Sequence, residues 1–270
     1  MAATLRIPRY SRTVRERPVA LVTGASAGLG ATFARKLAAR GFDLILIARR
    51  ADRLEQLSRE VPAHIEIVPA DLSTSEGLEA AERAIRTCAR LELLVNNAGF
   101  GTLGRFWEAD IAGQDQMHRL HVAATMRLSH AALPGMVARA KGALINVSSV
   151  AAFSQSIGNV SYCATKAWMN SFTEGLDIEL RSVRSPVRVQ ALCPGFTVTE
   201  FHDTLGMDRR QVPGFLWMKA DDVVEASLRS LGRKVVVIPG LQYKIAAHLM
   251  RHLPYFIRRR AGRPGRDKRV

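Results

Sequence analysis

The sequence predicts an α/β fold: a doubly wound, parallel, seven-stranded sheet in a single domain. Seven short apolar segments alternate with helical segments between residues 18 and 240, and this alternation is typical of parallel sheets with helices on both faces. Glycine and polar residues follow several of these segments, at the strand ends where such sheets bind ligands. The chain of 270 residues is long enough to bury one large core.

The individual elements follow from the periodicity of the apolar residues. Runs of branched apolar residues bounded by glycine, proline or polar residues predict strands, and apolar residues at helical spacing predict the helices between them. The predicted strands are 18–24, 43–50, 64–73, 91–101, 143–149, 187–195 and 234–240. The main predicted helices are 74–90, 115–138 and 161–181, together with one that ends at Gly41.

The net charge of +15 is concentrated at the two ends of the chain. Residues 1–17 hold five arginines and one glutamate, and residues 241–270 hold nine Lys or Arg and one aspartate. We therefore divide the chain into a basic N-terminal lead-in (1–17), a central domain (18–240) and a basic amphipathic C-terminal extension (241–270). An organellar presequence is the alternative interpretation of the lead-in, which lacks the apolar stretch of a secretory signal.

Cysteine and histidine usage argues against several classes of protein. The three cysteines form neither an even framework nor a C-x-x-C pair, which favours a reduced compartment. The seven histidines show no ligand spacing such as H-E-x-x-H, so we expect no metal site. No apolar run is long enough to span a bilayer. We expect a cytoplasmic protein.

A glycine-rich turn follows the first predicted strand. The spacing T-G-x-x-x-G-x-G places Gly24, Gly28 and Gly30 where the strand turns into a helix, with Ser26 and Leu29 between them. Glycine lets the backbone approach a pyrophosphate, and a helix N-terminus supplies free N–H groups and a positive dipole end. The turn is a candidate dinucleotide-binding site, and a tight turn without a ligand is the alternative.

The ends of the second and third predicted strands would face the adenosine of a dinucleotide. Arg49 and Arg50 follow the second strand, where a guanidinium suits the 2′-phosphate of NADP and an acidic residue would suit NAD. NADP(H) is therefore the preferred cofactor, with NAD(H) as the alternative. Arg49 is the first choice for the phosphate, and Arg50 for stacking on adenine. A solvated charge pair is the other interpretation. Asp71 and Leu72 would lie near the adenine.

The stretch from Ser149 to Lys166 is the strongest candidate for chemistry. Tyr162 lies thirteen residues after Ser149, and Lys166 follows four residues later on the same predicted helical face. A tyrosine pKa of about 10 is too high for proton transfer at neutral pH. An ammonium at about 4 Å favours the phenolate by roughly 4 kcal/mol at an effective dielectric constant near 20. We expect a lowered pKa and a role as general acid, and a chance Y-x-x-x-K spacing is the alternative.

Six motifs in order, TGASAGLG, ADLS, NNAG, NVSS, YCATK and CPG, resemble those of short-chain dehydrogenases/reductases. The resemblance covers about residues 18–240 and implies a Rossmann-like dinucleotide-binding catalytic domain. It also implies a homodimer or homotetramer formed through the long helices. By the same resemblance Tyr162 protonates the substrate oxygen, Lys166 holds the nicotinamide ribose and Ser149 hydrogen-bonds the oxygen as charge develops. Further implied cofactor contacts are Asn97, Ala98, Gly99, Pro194, Gly195, Val198 and Thr199.

The sequence departs from the family pattern at one position. An asparagine is usual in the helix before the fifth strand, where it is thought to hold a helix kink and a water of a proton relay. Here the phrase is LHVAATMRL, with His121 at that position. Histidine donates and accepts hydrogen bonds, so it could serve the relay, and it could titrate near neutral pH. A packed helix residue with its hydrogen bonds satisfied is the alternative.

The segments after the sixth and seventh strands bear on the substrate and on partners. Phe201, Leu205 and the run FLWM at 215–218 place apolar residues where this family folds a lid, which favours an acyl, steroid, retinoid or aromatic carbonyl; a subunit contact is the alternative. The extension after Gly240 could dock on the core or lie on an anionic membrane surface. No nucleic-acid-reading motif accompanies its charge.

These observations predict an NADP(H)-dependent oxidoreductase that acts on a carbonyl or secondary alcohol of a lipophilic substrate. The rival hypothesis is a cofactor-binding sensor or scaffold protein without turnover.

Overall fold

The computed structural model describes residues 17–201 and 208–261, and these form a central sheet covered by helices on both faces. The strands of this sheet are β1 (Val19–Thr23), β2 (Asp43–Ala48), β3 (Ile65–Pro69), β4 (Leu91–Asn96), β5 (Ala143–Val147), β6 (Arg188–Leu192) and β9 (Val236–Val237). All seven are parallel, in the order β3-β2-β1-β4-β5-β6-β9. Two short strands, β7 (Thr197–Val198) and β8 (Met218–Lys219), form a separate parallel pair.

Helices connect the strands and cover both faces of the sheet. They are α1 (Gly28–Ala39), α2 (Ala51–Glu60), α3 (Ser75–Thr87), α4 (Ile111–His118), α5 (Thr125–Ala138), α6 (Val160–Ser182), α7 (Ala220–Ser230), α8 (Leu241–His252) and α9 (Tyr255–Ala261). A π-helical turn, Arg119–Ala124, joins α4 to α5 without a break. The doubly wound, seven-stranded parallel fold expected from the sequence is confirmed.

The near-continuous apolar strands are explained by burial on both faces of the sheet. Ala20 and Val22 of β1 face a core that includes Phe33 of α1. Their neighbours Val19 and Leu21 face the opposite core, formed with α3, α5 and α6. The alternation of side chains along a strand explains the division, since successive residues point to opposite faces.

The strand order places a crevice at the carboxyl ends of β1 and β4. The chain runs outward from β1 through β2 to β3, and then returns to the other side of β1 with β4. Connections on the two sides leave in opposite directions at this point, and ligands of doubly wound sheets bind there. The glycine-rich turn after β1 and the Asn97–Gly99 segment after β4 therefore come together.

Several elements differ in length from the sequence-based expectation. The helix expected at 115–138 begins at Ile111 and contains the π-helical turn. The seventh strand is reduced to Val236 and Val237, and β3 is partly exposed because it lies at the edge of the sheet. The lead-in at 1–16, the lid residue Leu205 and the tail after 261 lie outside the described residues. Within the described part of the chain, no helix is long and apolar enough to cross a membrane.

Candidate active site

The turn between β1 and α1 is shaped to receive a phosphate group. Gly24 and Gly28 have φ angles of +64° and +54°, a backbone conformation that favours glycine. A Cβ on Gly30 would lie 2.2 Å from the carbonyl oxygen of Gly24. No side chain caps α1 at Ala27, and its first turn holds no acidic residue. The first N–H groups of α1 are therefore available to an anion.

The end of β4 is tied to this turn by hydrogen bonds. The Asn97 side-chain amide donates to the carbonyl oxygens of Thr23 (2.9 Å) and Gly24 (3.2 Å). The Thr23 hydroxyl accepts from the backbone N–H groups of Asn97 (2.9 Å) and Ala98 (3.0 Å). These hydrogen bonds tie the ends of the neighbouring strands β1 and β4 together. The Asn97 side chain fixes the floor of the crevice.

Charged side chains surround the place expected for the adenosine ribose. Arg50 donates to the Ser26 hydroxyl from Nε (3.3 Å) and Nη2 (3.1 Å), and its Nη1 lies 3.1 Å from a carboxylate oxygen of Glu200. Arg49 is more exposed, and its Nη1 lies 3.9 Å from the Asp71 carboxylate. Arg50 thus borders the glycine-rich turn and is oriented by Ser26, whereas Arg49 lies beside Asp71.

The catalytic candidates lie at the carboxyl end of β5. Ser149 follows this strand, and its hydroxyl accepts from the backbone N–H of Ala151 at 3.1 Å. Tyr162 and Lys166 are one turn apart near the start of α6. Lys166 Nζ is buried, donates to the carbonyl oxygen of Val147 at 2.8 Å and lies 5.7 Å from the centroid of the Tyr162 ring. The expected grouping of the three residues is consistent with this placement.

The expected lowering of the phenol pKa is wrong for this arrangement. Burial raises the pKa of Tyr162 to about 12, although a hydrogen bond with Ser149 partly offsets the rise. Burial also lowers the pKa of Lys166 to about 7. Desolvation disfavours the charged form of both groups, so the lysine cannot act as the fully charged, solvated neighbour that the spacing alone implies. The phenol is therefore protonated at neutral pH.

His121 lies in the π-helical turn and is completely buried next to Tyr162. The two rings meet edge to face, with centroids 5.8 Å apart. Its Nδ1 lies 2.9 Å from the Thr165 hydroxyl oxygen, and that hydroxyl itself donates to the carbonyl oxygen of Tyr162 at 2.9 Å. Because the threonine proton is already used, the proton of the His121–Thr165 hydrogen bond belongs to Nδ1. Nε2 is then an acceptor.

The environment of His121 keeps its ring neutral. Burial, followed by the nearby charge of Lys166, holds the pKa of His121 well below 6.5. The suggestion that this residue titrates near neutral pH is therefore wrong. Its Nε2 is buried and has no hydrogen-bond partner among the described residues, so the interpretation of a fully satisfied packed histidine is wrong as well. A Cβ on Gly99 would lie 2.4 Å from Nε2.

The segment after β6 closes the site from the other side. The carbonyl oxygen of Pro194 accepts from the backbone N–H of Val150 at 3.0 Å, next to Ser149. Thr199 packs on Gly28, whose Cβ would lie 3.2 Å from the threonine Cβ. The Phe201 ring centroid is 6.0 Å from that of Tyr162. Gly195 lies against the Tyr243 ring, and Val198 is exposed.

Two residues that shape the site did not emerge from the sequence. Thr165 lies between Tyr162 and Lys166, and its position three residues after Tyr162 on the same helix was the available signal. Tyr243 accepts from the backbone N–H of Phe196 at 3.0 Å and donates to the carbonyl oxygen of Leu216 at 2.6 Å. It lies in the C-terminal extension, where no local pattern indicates contact with the lid. In the described part of the chain no three metal-ligating side chains are grouped.

Comparisons with known proteins agree with this geometry. Residues 18–210 match the sequence model of a family described as short chain dehydrogenase. An uncharacterized oxidoreductase of Staphylococcus epidermidis is 27% identical over 219 residues, which cover 81% of this chain and 92% of that protein.

Two solved structures resemble this chain in both fold and sequence. A short-chain dehydrogenase from Sphingobium yanoikuyae in complex with NADPH is 35% identical, with a TM-score of 0.77 over 88% of this chain and 97% of that one. A bulky-bulky ketone specific alcohol dehydrogenase from Comamonas testosteroni is 30% identical, with a TM-score of 0.74 over 88% of this chain and 95% of that one. The chain therefore belongs to the short-chain dehydrogenase family and is an oxidoreductase.

Proposed function

We propose that the protein transfers hydride between NADP(H) and the carbonyl or secondary alcohol carbon of an apolar substrate. The observation that carries the proposal is the position of Ser149, Tyr162 and Lys166 beside a glycine-rich phosphate cradle at the crevice of a doubly wound sheet. The cradle fits a dinucleotide, because Gly30 has no room for a side chain and the first turn of α1 has no side-chain cap. When bound, the nicotinamide supplies the hydride.

The residues of the chain supply proton transfer and orientation. Tyr162, protonated at neutral pH, donates its proton to the carbonyl oxygen during reduction, and Ser149 donates a second hydrogen bond to the same oxygen. Lys166 donates to the Val147 carbonyl oxygen, and we expect its ammonium group to bind the ribose hydroxyls. His121 is a positioning residue in this proposal, because its neutral ring contacts the edge of Tyr162.

The preference for NADP(H) is supported by Arg49, Arg50 and Ser26. The Arg50 guanidinium is already oriented towards the glycine-rich turn by the Ser26 hydroxyl, and a phosphate on the ribose would replace the Glu200 carboxylate as its anionic partner. The Sphingobium yanoikuyae relative was solved with NADPH. Changing Arg50 to alanine should raise KM for NADPH about tenfold or more while KM for NADH changes little. Arg53→Ala on the exposed face of α2 is the matched control, and equal effects of the two changes would contradict the assignment.

An apolar substrate is supported by Phe201 beside Tyr162 and by exposed apolar side chains in two neighbouring segments of the chain. Phe201 borders Tyr162, and the segments after β4 and β7 expose four large apolar side chains. These are Leu103, Phe106, Trp107 and Phe215. The Comamonas testosteroni relative is described as specific for bulky-bulky ketones. We propose a bulky ketone or the matching alcohol as substrate and, as the family resemblance implies, a homo-oligomer formed through α5 and α6.

The decisive experiment compares wild type with Tyr162→Phe. NADPH oxidation is followed with ketones graded from small and polar to large and apolar, and NADPH binding is measured by fluorescence on the same samples. Wild-type turnover should rise with substrate apolarity. The Phe variant should lose at least about a hundredfold in kcat while it still binds NADPH. Binding without turnover by wild type in either direction would instead support a cofactor sensor.

A further inference from the structure

The last two helices carry a row of exposed apolar side chains that the proposed reaction does not use. Leu241, Ile245 and Leu249 recur every four residues on one side of α8 and are 69%, 53% and 52% exposed. Phe256 and Ile257 of α9 are also exposed. We refer to these five residues as the C-terminal stripe. Large apolar side chains grouped on a surface mark an interaction site more often than scattered ones do.

The opposite side of α8 is fixed to the body of the protein. Tyr243 and Ala247 are buried, and the Tyr243 hydroxyl bonds to the backbone at Phe196 and Leu216. Ala247 packs with Phe153 and Cys193 in a small core cluster. The buried side of α8 fixes the orientation of the helix. Its part of the C-terminal stripe therefore faces outward because of this packing, and not because the helix is loosely attached.

Two arginines of the same helices line a cavity against α6. Arg251 and Arg258 line a cavity of ≈ 300 Å³ together with the polar side chains of Gln155, Asn170 and Ser171. The Nε of Arg258 is buried there without a hydrogen-bond partner among the described residues. The carboxylate in this cavity, Glu174, is 3.7 Å from Arg251, a distance too long for a strong hydrogen-bonded pair. The cavity thus offers more donors than the described protein satisfies, and an anion would satisfy them.

The charge of the region decides which partner fits the stripe. The described part of the extension, residues 241–261, holds five Lys or Arg and no Asp or Glu, so two copies packed stripe to stripe would bring two positive surfaces together. Nucleic acid would satisfy the charge but not the apolar side chains. An anionic phospholipid surface satisfies both, because acyl chains accept the stripe and headgroup phosphates accept the arginines.

We infer that the C-terminal helices form a docking surface for anionic phospholipid membranes, with the C-terminal stripe inserted at the interface and a lipid phosphate bound between Arg251 and Arg258. In this arrangement the protein lies on the bilayer and does not cross it. The inference concerns a surface separate from Ser149, Tyr162 and Lys166, so it does not depend on the proposed reaction.

The test is co-sedimentation of the full chain, saturated with NADPH, with vesicles of two compositions. Phosphatidylcholine vesicles containing phosphatidylglycerol should bind the protein at least about tenfold better than phosphatidylcholine alone, and added salt should weaken the binding. Replacing Leu241, Ile245 and Leu249 by serine should reduce binding about tenfold or more. Each of Arg251→Gln and Arg258→Gln should reduce it about fivefold, the ratio that corresponds to about 1 kcal/mol per charge.

Matched controls distinguish vesicle binding through this surface from nonspecific adsorption and from misfolding of the variants. Ile111→Ser removes an equally exposed isoleucine far along the chain, and Arg59→Gln removes an exposed arginine; neither should change vesicle binding. The NADPH affinity of every variant should equal that of wild type. Binding of the triple serine variant at the wild-type level would overturn the proposal in favour of a purely electrostatic tether. Absence of vesicle binding by wild type, with a smaller oligomer for the triple variant, would overturn it in favour of a second copy.

Discussion

Gly99 and His121 occupy complementary space: a Cβ on Gly99 would lie 2.4 Å from Nε2 of the imidazole. The glycine therefore permits a histidine at this position of the π-helical turn, directly beside the Tyr162 ring. Because the ring is completely buried and the neighbouring backbone belongs to the end of β4, neither partner can move away cheaply.

The first prediction tests this contact with a double-mutant cycle. Gly99→Ala should lower the free energy of unfolding by about 1–3 kcal/mol, because it overpacks the site. In a His121→Asn background the same change should cost distinctly less, since the shorter side chain leaves room for the methyl group. Urea unfolding of the four proteins measures the difference. An equal cost in both backgrounds would show that the contact does not limit this position.

The second prediction concerns Thr165, which holds the His121 tautomer. Thr165→Val leaves the Nδ1–H of His121 without its partner, at a cost of about 1–3 kcal/mol, whereas the carbonyl oxygen of Tyr162 remains within the hydrogen-bonded helix α6. Thr165→Ser keeps the hydroxyl and should stay close to wild type. If the ring positions Tyr162, the Val variant should lower kcat and leave KM for NADPH unchanged. A stability loss without any change in kcat would assign Thr165 a structural role alone.

The third prediction uses the lowered pKa of Lys166. The folded protein loses this proton at about pH 7, whereas the unfolded chain keeps it up to about pH 10.4. Between these values the unfolded state binds more protons, so the stability of the cofactor-free protein should rise with pH. Lys166→Met should remove that contribution to the slope. Chemical unfolding between pH 7 and about 9.5 measures it, and identical slopes for the two proteins would contradict the burial of the ammonium.

The fourth prediction applies the same reasoning to His121 on the acid side. Burial holds the pKa of His121 in the folded protein well below 6.5. On acidification the unfolded state therefore binds a proton that the folded state does not bind. Stability should therefore fall as the pH drops below about 6.5, and this contribution should be absent from His121→Asn. His64→Asn, a change of an exposed histidine, is the control and should follow the wild-type curve.

Sequence patterns predicted the features of the protein that are determined by residues close together along the chain. Seven strands, the glycine-rich turn and the placement of Tyr162 and Lys166 follow from periodicity and spacing. The pKa values of these two residues do not, because spacing gives the distance between charges and says nothing about how much water the surrounding chain removes. Arg50 pairs with Glu200, 150 positions away, and such a contact depends on how β2 and the segment after β7 are brought together.

The hydrogen bonds of Tyr243 illustrate the same limit. This residue lies beyond the last strand, yet its hydroxyl joins two points of the segment that carries the lid. The apolar periodicity of the C-terminal extension does not predict this contact. A single tyrosine on an amphipathic helix would ordinarily be interpreted as a core residue. Only the three-dimensional arrangement shows that the extension and the rim of the site share one side chain.

The π-helical turn at Arg119–Ala124 can also be regarded as a helix that accommodates one residue more than a regular α-helix would. Removing a single residue from this turn would restore the regular spiral and rotate every side chain that precedes it by about 100° relative to α5. His121 would then leave the neighbourhood of Tyr162 although no residue of the catalytic group had been replaced. During evolution, the insertion or deletion of one residue in this turn would therefore rotate the imidazole into or out of the site.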